Sequence, residues 1–280
     1  MFKSIHIRWR VLAFAALLVP MSGAGGTPAR AECTGEDGGR SLISEIRGGD
    51  TLILQDGRSV RLAGVLIPRR GGDSSVALQA REAAEKVISD LLLGQTAELR
   101  LNSGARDRYG RLLAQLHVVK DGQRIWVQEQ LVMGGHARVI SSRDNRQCIP
   151  ELLVQEKAAR DKAQGQWGTG LFTVMRASSE DVLAGLAQSY EIVEGRIETV
   201  AEVRGRTYLN FGKNWRRDFT ATVAGDAARL FNGQNEGLAA LKGRLVRVRG
   251  WIENFNGPSI NLTHPEQLEV LESDTAARQP

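Results

Sequence analysis

Apolar and polar residues alternate as they do in strands from Leu42 to about Val65, in LISEI, TLILQ and SVRLAGV. Asp56-Gly57 between the last two predicts a hairpin turn. Residues 75–93, SVALQAREAAEKVISDLLL, place Ala80, Ala84, Val87, Ile88 and Leu91 at helical spacing and stop at Gly94, which predicts a helix ended by glycine. Two more strands follow, AELRL and LLAQLHVV, around the loop NSGARDRYGR. Asp121-Gly122 is expected to turn the chain into a helix through WVQEQLVMGG, and a last helix, PELLVQEKAARDKAQG, to run to Trp167. A small barrel with three helices packed around it is the simplest assembly of that order.

Residues 169–188 read as a connector in which Ser178 caps a short helix, EDVLAGLAQ. From Tyr190 the strand pattern returns in YEIVEGRIETVAEV, RTYLNF and DFTATV, followed by a helical AARLFNG and then RLVRVRGWIENF and SINLTHPEQLEVL. About five strands with one helix after the third is the element order of an oligonucleotide-binding-type barrel. The fold class expected is mostly β with helices: a small barrel in residues 32–172, a linker helix in 173–188 and a second, smaller oligonucleotide-binding-like barrel in 189–271. Residues 272–280 are polar and expected to be a disordered tail.

Lys3, Arg8 and Arg10 precede an apolar run from Val11 to Met21, and small residues then lead to Ala29-Arg30-Ala31. That pattern predicts an export signal over residues 1–31, with the apolar run too short to remain as a membrane anchor. The charge changes on its removal. Residues 1–31 hold four of the 37 basic residues and no acidic one, which leaves 33 basic against 32 acidic and a net charge near +1. Overall basicity therefore cannot argue for nucleic acid, and any affinity for anions must lie in local clusters. Cys33 and Cys148 are either a disulfide that staples the new N-terminus or two unlinked thiols. His117, His136 and His264 lack metal-ligand spacing, and His136 is expected to pack or cap rather than catalyse.

Five pieces in residues 40–168 resemble the staphylococcal nuclease (thermonuclease) family: GGDT at 48–51, VRLAGV at 60–65 followed by Pro68, DRYGR at 107–111, VQEQLVMGGHARV, and ELLVQEKAARDKAQGQWG. The resemblance implies a five-stranded oligonucleotide-binding barrel with three helices, and calcium-dependent cleavage of DNA and RNA phosphodiesters. It implies two aspartates on the calcium, a glutamate that activates water, and two arginines that neutralise the phosphate charge in the transition state.

Carried over by position, Asp50 matches the first calcium ligand, Arg61 and Arg111 the two phosphate arginines, and Tyr109 the tyrosine placed near the bound nucleotide. Leu66 stands where the second aspartate belongs and Arg69 where the glutamate belongs. A guanidinium stays protonated at any working pH and cannot act as a base. Arg69 is expected to pair with Asp50 and add to the ligand-binding cations, while Asp73 is either a solvated loop charge or the one nearby carboxylate that returns to the site. Calcium is expected only if the family site survives. The functional expectation is an exported protein that binds nucleic acid or another phosphate-containing ligand through the arginine pair, with hydrolysis in doubt. The alternatives are an active calcium-dependent phosphodiesterase and a non-catalytic envelope module whose protein partners are unknown.

In the second half, Lys213, Trp215, Arg216 and Arg217 combine an aromatic with cations, as a base-stacking surface does, or form an ordinary solvated hairpin tip. Arg247 and Arg249 alternate with apolar residues and are expected on one face of a strand, either to meet a polyanion or to be the wet side of a sheet.

Overall fold

A computed structural model of the chain describes residues 33, 35–68, 75–231 and 237–271; the expected signal, Arg69, Asp73 and the expected tail lie outside them. The first half runs β1 (Glu36–Arg47), β2 (Thr51–Leu54), β3 (Ser59–Leu62), β4 (Val65–Leu66), α1 (Ser75–Leu92), β5 (Thr96–Arg106), β6 (Leu112–Lys120), β7 (Gln123–Trp126), α2 (Val127–Met133), β8 (Arg138–Val139) and α3 (Ile149–Asp161). β1 is long enough to serve two neighbours. Its first part pairs with β5 and, past an irregularity at Ile43 to Glu45, its second part pairs with β2. β3 closes the ring by pairing in parallel with β6, giving a five-stranded barrel in the order β3-β2-β1-β5-β6. Alternation puts Ile43, Leu52, Leu54, Val60, Leu62 and Leu116 inside, all buried.

The second half runs β9 (Val174–Arg176), α4 (Glu180–Gly185), β10 (Tyr190–Arg196), β11 (Thr199–Val203), β12 (Arg206–Asn210), β13 (Thr220–Ala224), α5 (Gly225–Phe231), β14 (Leu245–Asn254), β15 (Pro258–Leu262) and β16 (Leu268–Val270). It repeats the connectivity of the first. β10 and β11 together play the part of β1, with the hand-over at Ile197, whose N–H donates to Arg244, and Glu198, whose N–H donates to Asn210. The β13–β15 pairing is parallel, as β3–β6 is. Leu209, Phe219, Val246, Val248 and Ile260 fill the inside.

Several boundaries differ from those the sequence predicts. Asp121-Gly122 joins β6 to β7 as a hairpin, and α2 starts only at Val127. The reason is local: the Trp126 indole N–H donates to Gln115 at 2.9 Å, anchoring β7 to the sheet. α3 ends at Asp161, short of Trp167, and Gly165 then takes a positive φ where its backbone lies against Gly134 and Gly135. A Cβ on Gly135 would lie 2.1 Å from the Gln164 carbonyl oxygen, and one on Gly165 would lie 2.3 Å from that of Gly134. Both positions therefore require glycine. Ser179, not Ser178, precedes α4, and its side chain makes no capping bond.

Cys33 and Cys148 are joined by a disulfide with a Cα to Cα distance of 5.0 Å, which ties the start of β1 to the start of α3. No helix among the described residues is long and apolar enough to cross a membrane.

The two barrels meet along a polar seam. Arg146 donates to both carboxylate oxygens of Glu266 at 2.7 and 2.9 Å, Arg143 pairs with Asp226, and His264 Nε2 lies 2.6 Å from Ser141 Oγ. Arg249 is 1% exposed and sits 2.8 Å from Glu156 of α3, which is fully buried, with Glu269 on its other side. Burial alone would lower the Arg249 pKa, but the charges of Glu156 and Glu269 overcome it and raise it. Arg247 pairs with Glu194 and Glu269. The face carrying Arg247 and Arg249 is thus neither a polyanion surface nor the wet side of a sheet. Alternation alone cannot tell solvent from a second barrel.

Candidate functional site

One cleft of about 530 Å³ opens beside the first barrel, and the fold explains what lines it. The turn from β1 to β2 passes through Gly48 and Gly49, both at positive φ, and delivers Asp50 just ahead of Thr51. Thr51 stands opposite Arg61 of β3, whose neighbours Val60 and Leu62 point inward, so the Arg61 side chain points out of the barrel. The parallel closure aligns Arg61 with Leu113 of β6, two residues beyond Arg111. Strand register therefore brings Asp50, Arg61 and Arg111 together from three separate segments.

Both arginines reach the same carboxylate. Arg61 Nε lies 3.2 Å from Asp50 Oδ2 and Arg111 Nη1 lies 3.4 Å from Oδ1. Arg111 also donates to the Thr51 hydroxyl. On the other side, Nε and Nη2 each approach Asp107 Oδ2 at 2.7 Å. Asp107 Oδ1 accepts the backbone N–H groups of Tyr109 and Arg111 at 2.9 and 3.0 Å, so one carboxylate orders both the loop and the guanidinium. Burial pushes the Asp107 carboxyl up, but the Arg111 hydrogen bond, those two N–H groups and the Arg111 charge outweigh it and hold the pKa below the usual carboxylate range.

Tyr109 is 74% exposed at the rim, with the Arg111 guanidinium carbon 5.4 Å and the Arg108 carbon 5.8 Å from its ring centre. Leu66, Ile67 and Pro68 form the apolar wall. Arg81 of α1 lies at the back, buried, where it donates to the Gly48 carbonyl and pairs with Glu85 at 2.6 Å. Sequence reasoning missed Arg81 because a lone arginine on a helix gives no signal. Asp107 was visible as the first residue of DRYGR, but its grip on Arg111 was not.

The described lining holds four arginines, Arg61, Arg81, Arg108 and Arg111, and two carboxylates, Asp50 and Asp107, with Glu85 behind it paired to Arg81. Each carboxylate is already engaged by arginine. Calcium takes six or more oxygens, largely from free carboxylates, and this donor set does not fit it. The described residues contain no group of three or more His, Cys, Asp or Glu side chains placed to hold a metal. The place where the sequence puts Arg69 against Asp50 lies outside the described residues, while Asp50 has Arg61 and Arg111 as its partners.

His136 packs its ring against Gly134, and burial lowers its pKa. Trp215, Arg216 and Arg217 are not part of the cleft. They sit on the turn between β12 and β13 of the second barrel, with the Arg216 guanidinium carbon 4.8 Å from the Trp215 ring centre and Arg217 paired with Asp181 at 3.3 Å.

A comparison with family models matches residues 59–169 to the staphylococcal nuclease homologue family. The match runs from β3 through α3 and includes Arg61, Leu66 and Arg111, while Asp50 precedes it. Curated proteins gave no match.

Proposed function

We propose, from the match of residues 59–169 to the staphylococcal nuclease homologue family, that the chain is an exported nucleic-acid-binding protein that holds phosphate through Arg61 and Arg111 without hydrolysing it. One observation carries this: two guanidinium groups, one from β3 and one from the loop that leads into β6, converge on a single carboxylate in the cleft. Guanidinium donors that hold a carboxylate between them suit phosphate oxygens equally, because both anions accept paired charge-assisted hydrogen bonds. Tyr109 at the rim offers a ring face to a base or sugar.

Hydrolysis needs a metal or a base to activate water, and the described lining supplies neither in free form. Leu66, 7% exposed in the wall, gives no oxygen where the family places its second aspartate. The Cys33–Cys148 disulfide suits an oxidising compartment and supports export.

The test is residues 32–280 with labelled single-stranded DNA and RNA in calcium, magnesium or chelator. Salt-dependent binding that Arg61→Ala or Arg111→Ala abolishes, with the strand left intact, is expected. Metal-dependent cutting by the unmodified chain, lost in the same variants, would establish an active phosphodiesterase instead. Cutting that appears only in the Leu66→Asp, Arg69→Glu double variant would confirm that the hydrolytic half is missing.

A further inference from the structure

Val65 and Ile67 pack into the first barrel's core, but the backbone of the cleft's apolar wall is sparsely paired. β4 is two residues long and, among the described residues, pairs only with β8, also two residues, through Val65 opposite Val139 and Leu66 opposite Arg138. The Ile140 N–H adds one bond to the Gly64 carbonyl. A ladder this short has no independent stability. Leu66, Ile67 and Pro68 pass from it directly into the cleft.

The other edge of β8 is gripped from the seam. The Val139 N–H donates to Glu156 Oε1 at 2.7 Å, and its carbonyl accepts the Tyr190 hydroxyl at 3.2 Å and, more weakly, Arg249 Nη1 at 3.4 Å. Glu156 is fully buried, and its other oxygen has Arg249 at 2.8 Å and Arg160 only at 3.7 Å. A buried carboxylate keeps its charge and its place only while it is paired. Its close partner comes from the second barrel.

We propose that Arg249 and Tyr190 of the second barrel are positioning residues for the phosphate cleft, acting through Glu156 and Val139 to hold the Leu66–Pro68 wall against the arginine pair. This gives the second barrel a part in the first barrel's site and, for ligand affinity, rests on the phosphate-binding function proposed above. Arg249 touches no ligand. It neutralises Glu156, Glu156 fixes the Val139 backbone, and β8 fixes β4. Tyr190 adds a hydroxyl to the same carbonyl, and its ring is set by edge contact with Trp251 at 5.6 Å.

The experiment uses residues 32–280 with two readouts: affinity for a fluorescein-labelled oligothymidylate, and the methyl NMR shifts of Leu66 and Ile67 without ligand. Arg249→Met is expected to weaken binding by roughly tenfold and to move both sets of methyl shifts. Adding Glu156→Gln to Arg249→Met removes the stranded charge and leaves an amide oxygen for the Val139 N–H, and is expected to recover most of the affinity. Tyr190→Phe should give a smaller loss in the same direction. Arg146→Ala breaks the seam at Glu266 without touching Val139, and should cost stability while leaving affinity and both sets of shifts unchanged.

The inference is overturned if the Leu66 and Ile67 shifts stay in place in Arg249→Met, or if Arg146→Ala moves them equally. Failure of the unmodified chain to bind the oligonucleotide would sink the proposed function, while the methyl shifts would still decide the role of Arg249.

Discussion

Arg61 and Arg111 share Asp50, one at each carboxylate oxygen, at 3.2 and 3.4 Å. The arginine pair therefore carries its own anion. A phosphate entering the cleft competes with a side chain already in place.

Asp50→Asn should strengthen binding of an oligonucleotide or of inorganic phosphate by several-fold, equivalent to about 1 kcal/mol for releasing two partly exposed ion pairs. Titration of the variant against the parent at fixed ionic strength measures it. In a site where Asp50 served chiefly as a metal ligand, the same change would weaken metal-supported binding.

Arg111→Lys should behave as a loss of function. An ammonium is a point charge and cannot span Asp107, Asp50 and Thr51 at once. Affinity should fall about tenfold or more, in line with losing charge-assisted hydrogen bonds of about 1.5–3 kcal/mol. Asp107→Asn should produce part of the same loss by freeing the guanidinium to rotate. Isothermal titration of both variants, with circular dichroism to confirm folding, separates the effects.

Stability should decline between pH 6.5 and about 4. Burial, aided by Arg124 beside His117, lowers the His117 pKa from 6.5 to about 4. Burial lowers His264 to about 4 as well, against the opposing pull of Glu266. The unfolded histidines bind protons as the pH falls through 6.5 and the folded ones do not, so stability is complete above 6.5 and is lost downward until the folded rings also titrate near 4. The loss is up to about 3 kcal/mol for each ring. Urea denaturation at pH 7, 5.5 and 4.5 measures it, and His264→Asn, which keeps a polar side chain near Ser141, should flatten part of the slope.

Reduction of Cys33–Cys148 should destabilise the fold by about 4 kcal/mol, since the bond closes a loop of more than a hundred residues. A lowered midpoint in guanidinium with reductant, absent in a Cys33→Ser, Cys148→Ser variant, checks it.

The first barrel and its arginines were legible because their signals are local. GGDT, VRLAGV and DRYGR each mark a turn or a strand whose neighbours are close in sequence, and alternation fixes which way Arg61 points. What failed to show was what one element covers of another. Arg247 and Arg249 follow the same alternation as a solvated strand face, and only the second barrel's packing against α3 turns that face into a buried charge network. Arg81 was hidden for a related reason, because helical periodicity marks the buried side of α1 by its apolar residues and gives no sign of a charged residue buried beside them. The β7 hairpin was missed because Asp121-Gly122 reads as leading into the helix of WVQEQLVMGG, whereas residues 123–126 first pair back onto β6 and Trp126 adds an indole hydrogen bond to Gln115.

The crossing of Gly135 and Gly165 has a consequence for the distance between the elements that flank it. Gly135 leads toward β8 and Gly165 follows α3, so the two segments cross with their peptide planes touching and no side chain between them, while farther along the Glu156 side chain spans from α3 to the Val139 N–H. The spacing at the crossing is set by the thickness of the main chain itself. Side-chain repacking elsewhere in the barrel can shift rotamers and fill or open small voids, yet it leaves this separation unchanged.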